Sequence, residues 1–238
     1  MAEPLLELRD VRAGYGEAVV LDGVSVSVPE NGSLALLGRN GVGKTTLLLT
    51  IMGFVRVSRG SLWFKGRDIS RLPPYRRARL GIGWVPQERD IFPSLTVEEN
   101  LTVAARPGRW SIEDMYRLFP RLKERRANMG NQLSGGEQQM LTIARTVLTN
   151  PAILLLDEPL EGLAPIIVEE LIAAIRTMAK DERIALVLVE QHAEVALGMT
   201  SDAIVIERGV VAHHAPSAEL LNDQAVLDRY VGLNLREG

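Results

Sequence analysis

Residues 38–45 read Gly38-Arg39-Asn40-Gly41-Val42-Gly43-Lys44-Thr45, a glycine-rich run closed by a cation and a hydroxyl. This is the G-x-x-x-x-G-K-[ST] spacing of a phosphate loop. The glycines let the backbone curl so that successive N–H groups surround phosphate oxygens. Lys44 is expected to reach the β- and γ-phosphates of a nucleoside triphosphate, Thr45 to offer its hydroxyl to Mg2+, and Thr46 to complete the binding set. A second group of reactive residues ends the run Ile153-Leu154-Leu155-Leu156-Asp157-Glu158. Four apolar residues bury a strand, and two carboxylates emerge at its carboxyl end, where such sheets bind ligands. Asp157 is expected in the Mg2+ shell, and Glu158 is expected to orient the water that attacks the terminal phosphate. A third stretch, LSGGEQQM over residues 133–140, places Ser134, Gly135 and Gly136 at a helix start. The free N–H groups of a helix start favour an anion. Ser134 with Glu137 three residues on is also a capping box, and both readings hold together. Why one chain carries two anion-binding motifs is the question this pattern raises.

The surrounding sequence positions these motifs on an α/β framework. Residues 5–11 and 18–28 read as strands, the latter with Val24, Val26 and Val28 in period two. Residues 34–37 form a buried strand running into the phosphate loop, and residues 44–54 follow as a helix. Residues 61–65 and 82–85 are again strand-like. From about residue 87 to residue 150 the signals are helical, over 97–105, 112–119 and 136–148, with Pro107-Gly108 separating the first two. Beyond lie strand 153–156, helix 165–180 and strands 184–189 and 203–207, the alternation of a parallel sheet wrapped by helices. Residues 216–233 read as short amphipathic helices. The expected division is a nucleotide-binding core of residues 1–86 and 151–238 and a helical, motif-bearing subdomain of residues 87–150.

Composition narrows the class. Of the 238 residues, 46 % are hydrophobic and 24 % charged, which supports a folded domain with a sizeable core. A net charge of -3 lacks the basic excess of a general nucleic-acid binder, so no nucleic acid is expected as a partner. With no cysteines, disulfides and thiolate metal sites are excluded. The start, MAEPLLELRD, lacks the basic and apolar regions of a signal peptide. No run approaches the ~20 apolar residues of a membrane span. The chain is therefore expected in the cytoplasm, with any membrane role coming through a partner.

Taken in order, Tyr15, the phosphate loop, Gln87, LSGGEQQM, Leu156-Asp157-Glu158-Pro159 and His192 resemble the ATPase subunit of ABC transporters over essentially the whole chain. The phrases VPQERDIFPSLTVEENL (85–101), LSGGEQQMLTIAR (133–145), GLAPIIVEE (162–170) and VEQH (189–192) are closest to the shorter ATPase of branched-chain amino acid importers and of related urea and amide importers. The resemblance implies a P-loop NTPase core with a mostly parallel sheet, an N-terminal antiparallel β region and an inserted helical subdomain. It implies ATP and Mg2+ as cofactors. It makes Tyr15 the aromatic that stacks on adenine, Gln87 a sensor of Mg2+ and the γ-phosphate, and His192 a switch near that phosphate. On residues alone, Tyr15 reads as a turn tyrosine, Gln87 as part of a turn and His192 as a helix-start residue. The chain departs from the superfamily after Pro159, where Leu160-Glu161-Gly162-Leu163-Ala164 stands in place of Ser-x-Leu-Asp; the missing Asp is shared with the narrower importer family, where Leu160 and Glu161 are less usual.

The resemblance also answers the question of two motifs. In the family, the LSGGEQQM helix faces the γ-phosphate held by a second ATPase subunit, either another copy or a sister chain, so that two chains sandwich two ATPs. Transmembrane permease subunits are the implied partners, with a solute-binding protein acting indirectly, and the subunit sits peripherally on the inner face of the membrane. Ile91, Phe92 and Leu95 are the candidate docking surface for a permease helix, or else core. The implied function is ATP hydrolysis that powers import of a branched-chain amino acid or related amide. The alternatives are the ATPase of an exporter or lipid-extraction system, or a non-transport ABC ATPase.

Overall fold

A computed structural model of the chain describes residues 3–181 and 184–230. In chain order it begins with β1 (Leu6–Tyr15), β2 (Ala18–Val28), β3 (Ser33–Leu37), α1 (Lys44–Met52), β4 (Val57–Phe64), β5 (Arg67–Asp68) and α2 (Pro74–Leu80). Then come β6 (Ile82–Val85), α3 (Val97–Ala104), α4 (Ile112–Leu118), α5 (Pro120–Glu124), α6 (Gly135–Val147), β7 (Ile153–Asp157) and α7 (Pro165–Arg176). The last elements are β8 (Ala185–Val189), α8 (Ala193–Met199), β9 (Asp202–Glu207), β10 (Val210–Pro216), α9 (Ser217–Leu220) and α10 (Gln224–Tyr230). The chain divides into two units, Met1–Arg79 with Ala185–Gly238, and Leu80–Ile184.

In the first unit, β2-β1-β4-β5 form an antiparallel sheet. The alternation of Val24, Val26 and Val28 is borne out, since all three are buried and the serines between them are exposed. The strand β3 pairs in parallel with β8 on one side and with β9 on the other, and β10 closes antiparallel on β9. Every residue of β8 is buried, as its unbroken apolar run requires of a central parallel strand. In the second unit, β6 and β7 pair in parallel, and β7 is buried throughout. The helical stretch divides into α3 to α6. The fold class is therefore α/β: parallel strands, an antiparallel N-terminal β region and helices inserted before β7.

Several elements were not legible. Residues 210–216 carry too little apolar alternation to read as a strand, yet they form β10, where His214 Nε2 lies 2.7 Å from Asp202 Oδ2. The helix α2 is rich in arginine and has no counterpart among the expected elements, whereas α8 starts at Ala193 with His192 as its N-cap, the helix start that residue indicates. The expected helix 165–180 ends as α-helix at Arg176 and continues as a π-helical turn over Thr177–Asp181. Of the expected helices in 216–233, α9 and α10 are present; residues 231–233 lie outside the described residues. Among the described residues no helix is long and apolar enough to cross a membrane.

The helix that follows the phosphate loop is secured at its far end by Arg77. This side chain is 2 % exposed. Its guanidinium donates to Thr50 O at 2.8 Å, Ile51 O at 2.9 Å, Leu72 O at 2.8 Å and Ser70 O at 3.0 Å. Two of these are carbonyls from the last turn of α1, where intrahelical donors run out; Thr50 O also accepts from Gly53 N at 3.1 Å. A cation also suits the negative end of the helix dipole. Burial pushes the Arg77 pKa down to about 10, against the smaller opposing pull of Asp68. Replacing Arg77 with Met should remove four hydrogen bonds and leave Ile51 O short of a donor, at a cost of at least about 2 kcal/mol. Thermal unfolding should then shift down by roughly 4–8 °C; an unchanged midpoint would show that α1 does not depend on this cap.

Candidate functional site

The first unit holds the phosphate loop, Tyr15 and His192. The loop runs from the end of β3 to the start of α1, and Gly43 is the N-cap of α1 in a left-handed conformation, with no side-chain cap bond. The leading N–H groups of α1 are thus not taken by a capping side chain. Gly38 has φ +138°, and a Cβ there would lie 2.3 Å from Ile206 O, so only glycine fits where the loop leaves the sheet. The loop is braced by Gly209 N donating to Val42 O at 3.1 Å. Lys44 is buried, and its Nζ donates to Gly38 O at 2.8 Å and Arg39 O at 3.2 Å. The ammonium is therefore held at the centre of the loop. Arg39, Asn40, Gly41 and Thr45 are exposed, and Thr46 is buried.

Tyr15 ends β1 and is 53 % exposed, so its ring is available for stacking. His192 is exposed at the N-cap of α8, and its side chain makes no cap hydrogen bond. It stands at a helix start, but its imidazole does not serve to cap that start.

The second unit holds Gln87, the LSGGEQQM helix, Asp157 and Glu158. At the end of β7, Asp157 is 1 % and Glu158 8 % exposed. Glu158 has φ +47°, an uncommon conformation for a non-glycine residue and one that clusters at functional sites. Gln87 Nε2 donates to Glu161 Oε2 at 2.5 Å and lies 3.4 Å from Glu158 Oε2. Gln87, Glu158 and Glu161 therefore come together, although they come from two separate stretches of the sequence.

LSGGEQQM begins α6 as a capped helix. Ser134 Oγ accepts from Glu137 N at 3.3 Å, and Glu137 Oε2 accepts from Ser134 N at 2.8 Å. Burial raises the Glu137 pKa, but the Ser134 hydrogen bonds and Arg125 outweigh it, so the carboxyl stays below its usual range. Gly135 is crowded by a residue no motif had indicated. A Cβ at Gly135 would lie 2.5 Å from Arg89 Nη1, so the guanidinium covers the first turn of the helix. Arg89 Nη2 also lies 3.4 Å from Glu161 O. A Cβ at Gly136 would lie 2.8 Å from Ile167 Cγ2, which fixes close packing there.

The loop after Gln87 is tied down by Asn100, which is fully buried. Its amide donates to Phe92 O, Leu95 O and Thr96 O at 3.0–3.1 Å and accepts from Phe92 N at 2.9 Å. Ile91 and Leu95 are partly buried, while Phe92 is 45 % exposed with the Arg145 guanidinium over its ring at 4.4 Å. Leu95, Thr96, Glu98, Glu99, Thr102 and Val103 line a shallow groove of about 550 Å³. Asn100, Arg89 and Glu161 are the residues that motif reading undervalued. An Asn inside an otherwise periodic helix was the one signal available for Asn100.

Comparison with known proteins identifies the family. The ABC transporter family profile matches residues 21–161. The high-affinity branched-chain amino acid transport ATP-binding protein BraG of Pseudomonas aeruginosa is 39 % identical over 96 % of this chain and 100 % of its own. The lipopolysaccharide export system ATP-binding protein LptB of Haemophilus influenzae is 33 % identical over 96 % and 97 %. Among solved structures, a nucleotide-free ATP-binding cassette from an ABC transporter superposes with a TM-score of 0.81 at 23 % identity, covering 98 % of this chain and 100 % of that one. A chain with this phosphate loop, carboxylate pair and capped LSGGEQQM helix, and with such relatives along its whole length, belongs to the ABC transporter family and is an ABC-type ATPase.

Proposed function

We propose that the chain is one of two ATPase subunits that power import of a branched-chain amino acid or related amide through membrane permease partners. The observation that carries the solute class is the full-length likeness to BraG, whose name specifies branched-chain amino acid transport. The likeness to LptB, also along nearly the whole chain, supports a second reading as the ATPase of a lipid-export system. In either case the subunit works on the cytoplasmic side of a membrane, bound to its permeases. The exposed Phe92 and the groove beside it on α3 are the proposed docking surface. Residues 87–150 act as the helical, signature-bearing subdomain, and residues 1–86 and 151–238 as the nucleotide-binding core.

Each residue then has a role. Tyr15 stacks on adenine. The N–H groups of Gly38, Arg39, Asn40, Gly41, Val42, Gly43, Lys44, Thr45 and Thr46 cradle the phosphates. Lys44 exchanges its carbonyl partners for phosphate oxygens, which form stronger charge-assisted bonds. The Thr45 hydroxyl, the Gln87 amide oxygen and the Asp157 carboxylate are all hard oxygen donors and suit Mg2+. When bound, that ion neutralises charge on the phosphates. Glu158 orients the attacking water, and His192 senses the γ-phosphate. Ser134, Gly135 and Gly136 receive the γ-phosphate of the second subunit.

Replacing Glu158 with Gln should abolish ATP hydrolysis while leaving ATP affinity within a few-fold of the parent, because the phosphate cradle is untouched. ATP should then hold the variant as a dimer on a sizing column. Normal turnover would remove Glu158 from this role. Replacing Tyr15 with Ala should raise the ATP KM roughly tenfold or more with little change in kcat, since a base–aromatic stack is worth about 1–3 kcal/mol and is remote from the transferred group. An unchanged KM would return Tyr15 to a turn residue. The solute class is tested by reconstituting the chain with its permeases in liposomes. ATP-driven uptake of labelled leucine is expected, and its absence alongside lipid extraction would favour the second reading.

A further inference from the structure

Gln87 carries an amide whose two ends are chemically opposite. Nε2 only donates and Oε1 only accepts, and nothing intrinsic to the side chain decides which end faces which neighbour. Here two carboxylates decide. Both Glu161, at 2.5 Å, and Glu158, at 3.4 Å, present acceptors to the same amide nitrogen. An ionised carboxylate cannot donate, so an amide turned the other way would set its oxygen against anions. The shorter of the two contacts is the decisive one, because 3.4 Å lies beyond the usual range of an N–H···O bond. We propose that Glu161 is a positioning residue for Gln87: its carboxylate holds the amide nitrogen and so turns Oε1 away from the carboxylates as the atom that meets Mg2+. This rests on the reading of Gln87 as a contact of that ion.

Two further observations support the assignment. Glu161 stands in the segment where the chain departs from the superfamily pattern, so a residue with this capacity is supplied locally. The turn that carries it brings Glu161 N within 3.3 Å of Glu158 O, with Arg89 Nη2 3.4 Å from Glu161 O; both are long, weak contacts beside the 2.5 Å bond to Gln87. Glu158 and Glu161 are thus ends of one short turn, and the Gln87 amide lies against both. The carboxylate of Glu161 is exposed, so its removal disturbs no core.

The test measures binding of a non-hydrolysable ATP analogue, AMP-PNP, with Mg2+ and with EDTA. The ratio of the two dissociation constants is the gain in affinity due to the metal. Glu161→Ala should lower that gain about tenfold, the usual scale for loss of an outer partner of a metal ligand, while affinity in EDTA and the thermal midpoint stay at parent values. Gln87→Ala should lower the gain at least as much. In Gln87→Ala, adding Glu161→Ala should cost little more, since the two act through one contact. A full gain in Glu161→Ala, together with a loss in Gln87→Ala, overturns the proposal alone. So does an equal loss from Glu161→Ala in both backgrounds. A full gain in Gln87→Ala shows that Gln87 does not meet the metal, and the reading and the proposal fall together.

Discussion

An α-helix leaves its first N–H groups without partners, and this chain treats that shortfall in two different ways. The helices α3, α4 and α6 each begin with a Ser or Thr cap and a reciprocal carboxylate three residues on. The helix α1 begins with Gly43, which brings no side chain to the task. Ser, Thr, Asp or Asn as an N-cap is worth only a few tenths of a kcal/mol over glycine, and the φ of +112° at Gly43 suits glycine and strains any of them. The loop thus leaves its helix start slightly less stable and sets no capping side chain against the phosphate it is proposed to bind. Arg77, closing the other end of α1, offsets part of that cost.

The start of α6 is a compromise between the two treatments. The capping box takes Glu137 N and Ser134 N, and the glycines that follow bring no side chains that would keep a ligand from the backbone. The Arg89 guanidinium lies over this turn. A cation at the positive end of a helix dipole is unfavourable by itself, and a bound anion would offset this by attracting both the guanidinium and the helix start. This suits the proposed receipt of an anion at the start of α6. It also means that a carboxylate introduced at Gly135 would pair with Arg89 instead of simply repelling phosphate.

How much of this the sequence reveals depends on how local each determinant is. The phosphate loop, the buried run ending in Asp157-Glu158 and the Ser134–Glu137 box are contiguous and carry their chemistry in fixed spacings. The fold class follows from the periodicity of β2 and the apolar runs of β7 and β8. What escaped is what depends on distant chain segments. Arg77 reads as one more arginine in a basic helix until Thr50 and Ile51 are brought to it. Asn100 reads as a helix residue until the loop 91–96 wraps around its amide. The strand β10 has little apolar pattern and is specified by pairing with β9. Glu161 looked like an irregularity in a motif, and its contact with Gln87 spans 74 residues.

The central claim is that LSGGEQQM serves the nucleotide of a second subunit, and subunit mixing tests it most directly. Lys44→Ala damages only the phosphate loop. Ser134→Asp keeps a good helix cap, since Asp caps as well as Ser, but sets a carboxylate where the partner's phosphate should lie. Each variant alone has one damaged half in both composite sites and should hydrolyse ATP at a small fraction of the parent rate. In a mixed dimer, one site joins the intact phosphate loop of the Ser134→Asp chain to the intact signature of the Lys44→Ala chain. Mixing differently tagged variants should therefore raise ATPase activity well above the sum of the two alone. Recovery of mixed dimers by tandem purification with activity no higher than that sum would contradict the claim.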